Sequence, residues 1–358
     1  LLKCHRAEKN PVAGPNTVRP EASRGKDFCR VDGWGREMDA VVEWQSCAIP
    51  SFAPVFEELA EAKRRSCIDD LIAVVRANED SVFFHARARA IDPLTLRSQL
   101  LLHLPRVVTA DYFPDARDIK REVQVASDFL EDIQRPYAKW LKPPERPIAL
   151  DDLEFVSLDA EIARIYHERL HYIGSYRPGL HFALRDSSSG RIVCIGSVAN
   201  FDLKHAEEKI APHVDPKSVL VLSRFFAFRW APQNSFSYFH GKLRLQLMKE
   251  LDTKLMFSFI NPNLGFNGRS HQGGAHWVPF ARETATRYMY LDGRYRPMRF
   301  FMNNYGTSDA RELKKKLGPS FKVSTMDLDP MLLLAIPLQR RARKAIPTKP
   351  YWFERPVL

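Results

Sequence analysis

The chain has 358 residues, 45% of them hydrophobic, so it can bury a real core in two domains or in one domain with a long extension. Lys and Arg number 54 against 43 Asp and Glu, a formal net charge of +11 that favours a polyanionic partner such as nucleic acid, or an anionic cofactor. Its five cysteines (Cys4, Cys29, Cys47, Cys67, Cys194) include no C-x-x-C pair, which argues against a disulfide framework and a four-cysteine zinc module.

That cysteine usage points to a reducing compartment. No apolar run approaches the ~18 residues that a membrane span needs, and the first residues do not resemble a signal peptide. Residues ahead of Leu1 are expected, because no methionine begins the chain.

Residues 1–50 are rich in Pro, Gly, Arg and Lys and read as an irregular basic arm. Phe56 to Arg76 has helical apolar spacing at Phe56, Leu59, Ala62, Ile68, Leu71 and Val74. A second helix is expected from Ile119 to Ile133, with Val123, Val125, Phe129 and Ile133 inward, and Pro93, Pro105 and Pro114 break the pattern between the two. Residues 51–147 thus form a mostly helical region that ends in a stiff linker, Lys142-Pro143-Pro144-Glu145-Arg146-Pro147.

The pattern then changes. Leu153 to Leu158 is a short strand, and Ala160 to Tyr172 a helix with Ile162, Ile165, Tyr166 and Leu170 on one side. Leu180 to Arg185 and Ile192 to Val198 form a hairpin around Asp186-Ser187-Ser188-Ser189-Gly190. Val219 to Phe228 is almost unbroken apolar sequence and should be a central strand. Trp230 to Ser237 is a loop; a helix follows to about Leu251, with Phe236, Phe239, Leu243, Leu247 and Leu251 on one stripe. Lys254 to Ile260 is another buried strand. Tyr288 to Leu291 and Arg294 to Phe301 form a hairpin, because Asp292-Gly293 suits a two-residue type I′ turn. Residues 338–358 read as a basic tail.

This order implies an α/β fold: a mixed central sheet flanked by helices, with a mostly helical N-terminal extension. It is the layout of the GNAT acyltransferases, a superfamily the chain resembles over residues 148–337. There, backbone N–H groups at a helix N-terminus bind the pyrophosphate of the donor. Those groups would come from Asn234, Ser235, Phe236 and Ser237, with Gly241 nearby, although the superfamily's Gly-rich loop is missing. The alternative is that Asn234, Ser235 and Ser237 simply cap the helix.

Two motifs stand out. His167-Glu168-Arg169-Leu170-His171 matches H-E-x-x-H, in which two histidines on one helical face hold a metal and the glutamate acts as base. Gly174 and Pro178 end that helix at once, which argues against a zinc hydrolase. The alternatives are a lining for the acceptor pocket, with Tyr172, or histidines at the surface or a helix cap. Arg224 sits inside the apolar central strand, with Ser223 expected on the opposite face. It needs a carboxylate partner in the core, or faces a phosphate or a developing anion.

The ordered segments His171-Tyr172-Ile173-Gly174, Leu222-Ser223-Arg224, Asn234-x-x-Ser237, Ser258-Phe259-Ile260-Asn261-Pro262, Gly265-x-x-Gly268, Trp277 and Tyr290-Leu291-Asp292-Gly293 resemble the landmarks of the phage Mom family. The resemblance implies transfer of an acyl or methylcarbamoyl-type group to the N6 amine of adenine in double-stranded DNA, which shields phage DNA from restriction. It implies a phage- or prophage-encoded protein in the bacterial cytoplasm, an acyl-CoA or related donor, and an association with iron; His167 and His171 are the candidate metal ligands from the H-E-x-x-H motif. Arg224, Tyr172, and Ser235 or Ser237 match family positions. Where the family carries Ser-Asp-Pro this chain has Ile260-Asn261-Pro262, and where the family has a tyrosine His271 is available, which still relays a proton. Acyl transfer to another amine, or a DNA-binding descendant without activity, fits those departures.

Adenine's exocyclic amine is a poor nucleophile, so the base would be unstacked and held. Tyr172, Phe266, Trp277 and Tyr290 are candidate stacking residues, with core packing as the alternative. Phosphate contacts are expected from Arg282, Arg287, Arg294, Arg296 and Arg299, from Lys314, Lys315 and Lys316 beside Arg311 on a helix, and from Arg340 and Arg341. Such runs also occur as plain solvated faces.

Overall fold

The computed structural model describes residues 67–353, apart from 110, 269, 272–275, 284–287 and 327–328, and for 67, 283 and 299 the backbone alone. The basic arm and the first turns of the helix expected from Phe56 lie outside the described residues. The described residues all lie in one compact unit.

Four helices open the described chain: α1 (Cys67–Ala77), α2 (Glu79–Ala88), α3 (Pro93–His103) and α4 (Ala116–Gln134). Pro93 starts a helix rather than breaking one: Asp92 caps α3 by accepting from Thr95 N–H, and proline is favoured in the first turn. α4 begins with a reciprocal capping box between Asp115 and Asp118. Val123 faces the core, but Val125, expected inward, is exposed, because the buried stripe runs Ile119, Val123, Ala126, Leu130. The core of these helices does not stop at the Pro-rich segment. Leu264, Tyr288, Tyr290 and Met326 from the second half of the chain are buried in the same cluster.

The main sheet, among the described residues, has the order β1-β2-β3-β4-β5-β10-β6-β11. Its strands are β1 (Leu153–Ser157), β2 (Leu180–Asp186), β3 (Ile192–Asn200), β4 (Val219–Ala227), β5 (Leu255–Ile260), β6 (Val278–Glu283), β10 (Met331–Pro337) and β11 (Tyr351–Phe353). β4 pairs with β5, and β6 with β11, in parallel; the other neighbours are antiparallel. The expected mixed sheet with flanking helices is therefore present, and β4 is interior as its apolar sequence requires. Helix α5 (Ala160–Ile165) follows β1, α6 (Lys204–Ile210) follows β3, and α7 (Ser235–Leu251) connects β4 to β5. α7 packs on the sheet through Phe239, Leu243 and Leu247, whereas Leu251 is left exposed at its end. A Cβ at Gly196 would meet the Phe239 ring at 2.5 Å, so glycine there permits the close approach of helix and sheet. Of the stripe expected here, Tyr166 and Leu170 are buried and Ile165 is half-buried, whereas Ile162 is exposed and Ala163 takes the inward position in its place.

A smaller sheet, β8-β7-β9, holds β7 (Met289–Leu291), β8 (Arg294–Arg296) and β9 (Phe321–Val323). Asp292 and Gly293 have φ of 52° and 74°, as a type I′ turn demands. The second hairpin strand is shorter than expected: Pro297 ends it and opens helix α8 (Met298–Tyr305), which α9 (Ala310–Leu317) follows. The segment read as a tail is packed. Ala342, Ala345 and Phe353 are buried, since the i, i+3 spacing of the two alanines puts both on the inner side of a 3₁₀ turn while the arginines face out.

Candidate active site

β4 and β5 pair from Val219↔Leu255 to Leu222↔Ser258, although β4 continues to Ala227 and β5 to Ile260. The cause lies on the other edge of β4. Ser197 is paired with Arg224 and Val198 with Leu222, so Ser223 is an extra residue, a β-bulge. A bulge bends its strand and raises the local twist. The two parallel strands therefore part beyond Ser258 and leave unpaired backbone edges facing each other. The bulge also corrects the expectation that Ser223 and Arg224 point to opposite faces. Leu220 and Leu222 pack under α7, and so do Phe225 and Ala227, an odd number of residues on.

Arg224 is held at this parting by the loop after α5. Its Nε donates to the Ser175 carbonyl (3.2 Å), its Nη2 to the Ser175 hydroxyl (3.1 Å) and its Nη1 to the Ser223 carbonyl (2.6 Å). The loop is itself fastened by the N-terminal helices. Gln134 Nε2 donates to the Arg169 carbonyl (3.1 Å), Gln99 Nε2 to the Tyr172 carbonyl (2.7 Å), and the Thr95 hydroxyl lies 2.7 Å from the Leu170 carbonyl.

The HERLH segment is one turn of π-helix, Tyr166–Leu170, and His171 already has extended backbone. Both histidines are buried, which overturns a surface or capping role for them. His171 Nδ1 accepts from Ile173 N–H (3.1 Å), and its ring also bonds the Phe225 backbone, so it retains no lone pair for a metal. Its ring centroid lies 6.3 Å from that of His167. Among the described residues no group of three or more His, Cys, Asp or Glu is placed to hold a metal ion, so the metal ligation expected of this pair does not fit. Burial, with the Arg224 charge second, holds His167 down to about 3 and His171 well below the usual range.

His167 belongs instead to a buried polar chain. Its Nε2 lies 3.2 Å from Ser197 Oγ, which lies 2.7 Å from His181 Nδ1, whose Nε2 lies 3.0 Å from the Tyr176 hydroxyl. Sequence reasoning missed Ser197, His181 and Tyr176. Their signal was a histidine and a serine inside otherwise apolar hairpin strands, where buried polar groups need partners.

On the α7 side, Ser258 Oγ lies 3.2 Å from His271 Nε2 and 3.5 Å from the Leu222 carbonyl. His271 packs against Phe236 (4.7 Å between centroids) and Trp277 (5.5 Å), and burial lowers its pKa to about 4. His240 Nε2 and Trp277 Nε1 are buried here without a hydrogen-bond partner. Ser258 opens one of the Mom-like segments, Ser258-Phe259-Ile260-Asn261-Pro262, and no local pattern there marks it as a site residue. Asn261 is a turn cap, accepting from Asn263 N–H (3.1 Å).

α7 begins at Ser235, after the loop of residues 228–234 that follows β4. Asn234 is its N-cap residue in a left-handed conformation (φ 67°), and no side chain caps the helix. The Ser235 hydroxyl is turned back onto the Pro232 carbonyl (2.6 Å) and is buried, so of the two serines only Ser237 remains half-exposed. Gly241 is in the second turn, where its N–H is committed to the helix, so it is not one of the free amides.

Tyr172 and Phe266 pack 5.4 Å apart and are half-buried. Trp277 and Tyr290 are buried, and the Tyr290 hydroxyl donates to the Leu102 carbonyl (2.9 Å), so neither ring has a free face for a base to stack on. The expected basic surface divides. Arg294, Lys314, Lys315 and Lys316 are exposed on the small sheet and α9, and Arg296 is half-buried over the Phe300 ring. Arg340 and Arg341 are exposed on the turn before β11, which packs with a different core. Arg282 is buried and lies 5.9 Å over the Trp352 ring, so it faces no solvent phosphate. Arg287 and the Arg299 side chain lie outside the described residues.

No family model matches the sequence, and no curated protein matches it. Among solved structures, the chain is similar to a ribosomal-protein-S5-alanine acetyltransferase from Vibrio fischeri, with a TM-score of 0.33, 6% identity, and coverage of 55% of this chain and 98% of that one. It is also similar to an aminoglycoside N(6′)-acetyltransferase from Legionella pneumophila, with a TM-score of 0.28, 7% identity, and coverage of 60% and 91%. A GCN5-related N-acetyltransferase from Brucella melitensis gives a TM-score of 0.28, 9% identity, and coverage of 55% and 80%.

Proposed function

We propose that this protein transfers an acyl-type group from a thioester donor to an amine, and that the amine is the N6 group of adenine in DNA. The observation that carries the first half is the parting of β4 and β5, with an uncapped helix one short loop after β4. Unpaired strand edges offer hydrogen bonds to an extended donor arm. The free N–H groups of the first turn of α7, at the positive end of its dipole, suit a pyrophosphate. Phe236 and Ser237 provide those amides, while Arg224 carries its charge beside Tyr172, on the acceptor side. The donor supplies an activated carbonyl; the amine attacks it, the C–S bond breaks, and the thiol leaves.

The acceptor half rests on charge and aromatic content together with the Mom-family resemblance. The net charge of +11 and the exposed Lys314, Lys315, Lys316 and Arg294 supply phosphate contacts. Tyr172 and Phe266 are the aromatic pair placed to stack on an unstacked base beside Arg224. A second reading, acyl transfer to a different amine, is favoured by the division of the basic residues between two parts of the fold. Mass spectrometry of nucleosides from the DNA of expressing cells separates the two. A new adenine adduct, lost in an Arg224→Ala variant, supports DNA as acceptor. Unmodified DNA, with acyl transfer to a small amine by the purified protein, supports the second reading.

A further inference from the structure

We propose that Ser258 and His271 form a nucleophile–base pair at which the acyl group rests as a serine ester before it passes to the amine. The inference builds on the acyl-transfer reading above and adds a covalent step to it.

Ser258 is the last residue of β5 that pairs with β4, so its side chain stands at the point where the two strands part. Its hydroxyl has one proton and two acceptors within reach, His271 Nε2 at 3.2 Å and the Leu222 carbonyl at 3.5 Å. The shorter contact is the imidazole. A hydroxyl that donates to an imidazole lone pair is the arrangement that activates serine. His271 is fixed between the rings of Phe236 and Trp277. Its burial keeps the imidazole neutral near pH 7, and with the ring proton on Nδ1, where Ser270 Oγ lies 3.5 Å away, the Nε2 lone pair is left for Ser258. Trp277 Nε1–H, on the ring packed against His271, is buried and makes no hydrogen bond, which leaves a donor for the carbonyl oxygen of a bound acyl group. His240 Nε2, with its ring centroid 5.2 Å from that of Trp277, is a second buried polar atom without a partner. Buried polar groups normally find one, and two beside the same pair mark a place that a ligand completes.

The step balances without a further reactant. Ser258 Oγ attacks the carbonyl carbon of the thioester as its proton passes to His271 Nε2. The C–S bond breaks, and the leaving thiolate takes that proton. The acceptor amine then attacks the serine ester, the C–O bond breaks, and the amine's proton returns through His271 to Ser258.

The test uses p-nitrophenyl acetate as an activated acyl probe on the purified full chain, with intact-mass measurement and peptide mapping. The expected result is one acetyl group on Ser258, absent from Ser258→Ala and from protein unfolded in urea. In His271→Asn the labelling rate falls at least tenfold at an unchanged melting temperature. Folded protein that gains no acetyl on Ser258, or His271→Asn protein that labels at the full rate, overturns the pair. Cells expressing Ser258→Ala separate this claim from the function it rests on. If their DNA carries the full adenine adduct, the covalent step is wrong and the transferase reading stands. If Ser258 labels but no DNA is ever modified, the pair stands and the acceptor assignment falls.

Discussion

The side-chain amide of Gln99 donates to the carbonyl oxygen of Tyr172 over 2.7 Å, across 73 residues of sequence. It ties the third N-terminal helix to the loop that carries one candidate stacking residue and, three residues on, the Ser175 that holds Arg224. The helical extension is thereby part of the candidate site's support. Replacing Gln99 by Ala removes a hydrogen bond to a half-buried carbonyl, worth about 1 kcal/mol. Urea unfolding should show a loss of that size, and amide exchange at residues 171–175 should speed up. Unchanged exchange in that loop would mean the helices do not anchor it.

Arg224→Ala should abolish transfer. The residue also gives up three hydrogen bonds, and bonds from a charged donor contribute about 1.5–3 kcal/mol each when made in a protein. The variant should therefore stay folded with a lowered melting temperature. Arg224→Lys keeps the charge but not the fork that spans the Ser175 hydroxyl and carbonyl. It should recover stability in part and activity poorly. A lysine variant with full activity would show that charge alone suffices.

Burial sets the pH dependence of stability. His167 and His240 are pushed down to about 3, and His103 and His271 to about 4, each mainly by desolvation. Their unfolded counterparts titrate near ~6.5. Between those values the unfolded chain binds more protons than the folded one, so stability falls as pH drops. Above pH ~7 all four are neutral in both states and add no slope. Urea midpoints measured from pH 8 down to 4 should be level at first and then fall below about pH 6.5. His240→Leu should flatten the decline, since an apolar residue of similar size has no proton to gain.

Duplex DNA binding should be salt-sensitive, with a log–log slope near −5 if about six phosphates are neutralised. Charge reversal of Lys314, Lys315 and Lys316 together should flatten that slope by roughly 3 units. Arg282→Gln should leave the slope unchanged, because Arg282 is buried over Trp352. A triple variant that binds as wild type would remove α9 from the interface.

HERLH should not support hydrolysis. A zinc hydrolase depends on the motif glutamate as general base, but here His171 Nδ1 already accepts from Ile173 N–H. Glu168→Gln should therefore be nearly silent in stability and in transfer. Zinc-dependent peptide cleavage that Glu168→Gln stops would sink the transferase reading.

By itself the sequence determined the elements whose signals are local. The apolar run Val219–Phe228 could only be an interior strand, Asp292-Gly293 could only be a tight turn at this position, and the stripe Phe239, Leu243, Leu247 required a helix lying on a sheet. Helix and strand periodicity and turn chemistry act over a few residues, so they can be read one segment at a time. The site was different. Whether Ser235 or Ser237 stands free depended on a hydroxyl turning back to Pro232. Whether Arg224 met a carboxylate or a backbone depended on a loop 49 residues away. The bulge at Ser223 follows from pairing with β3, and the Ser258–His271 contact from a fold that brings β5 beneath a later loop. His167 looked like a ligand until Ser197, 30 residues on, supplied its partner. Contacts of that kind carry no sequence period, because a buried polar group is satisfied by whichever partner the packed chain delivers, and only the tertiary structure decides which one that is.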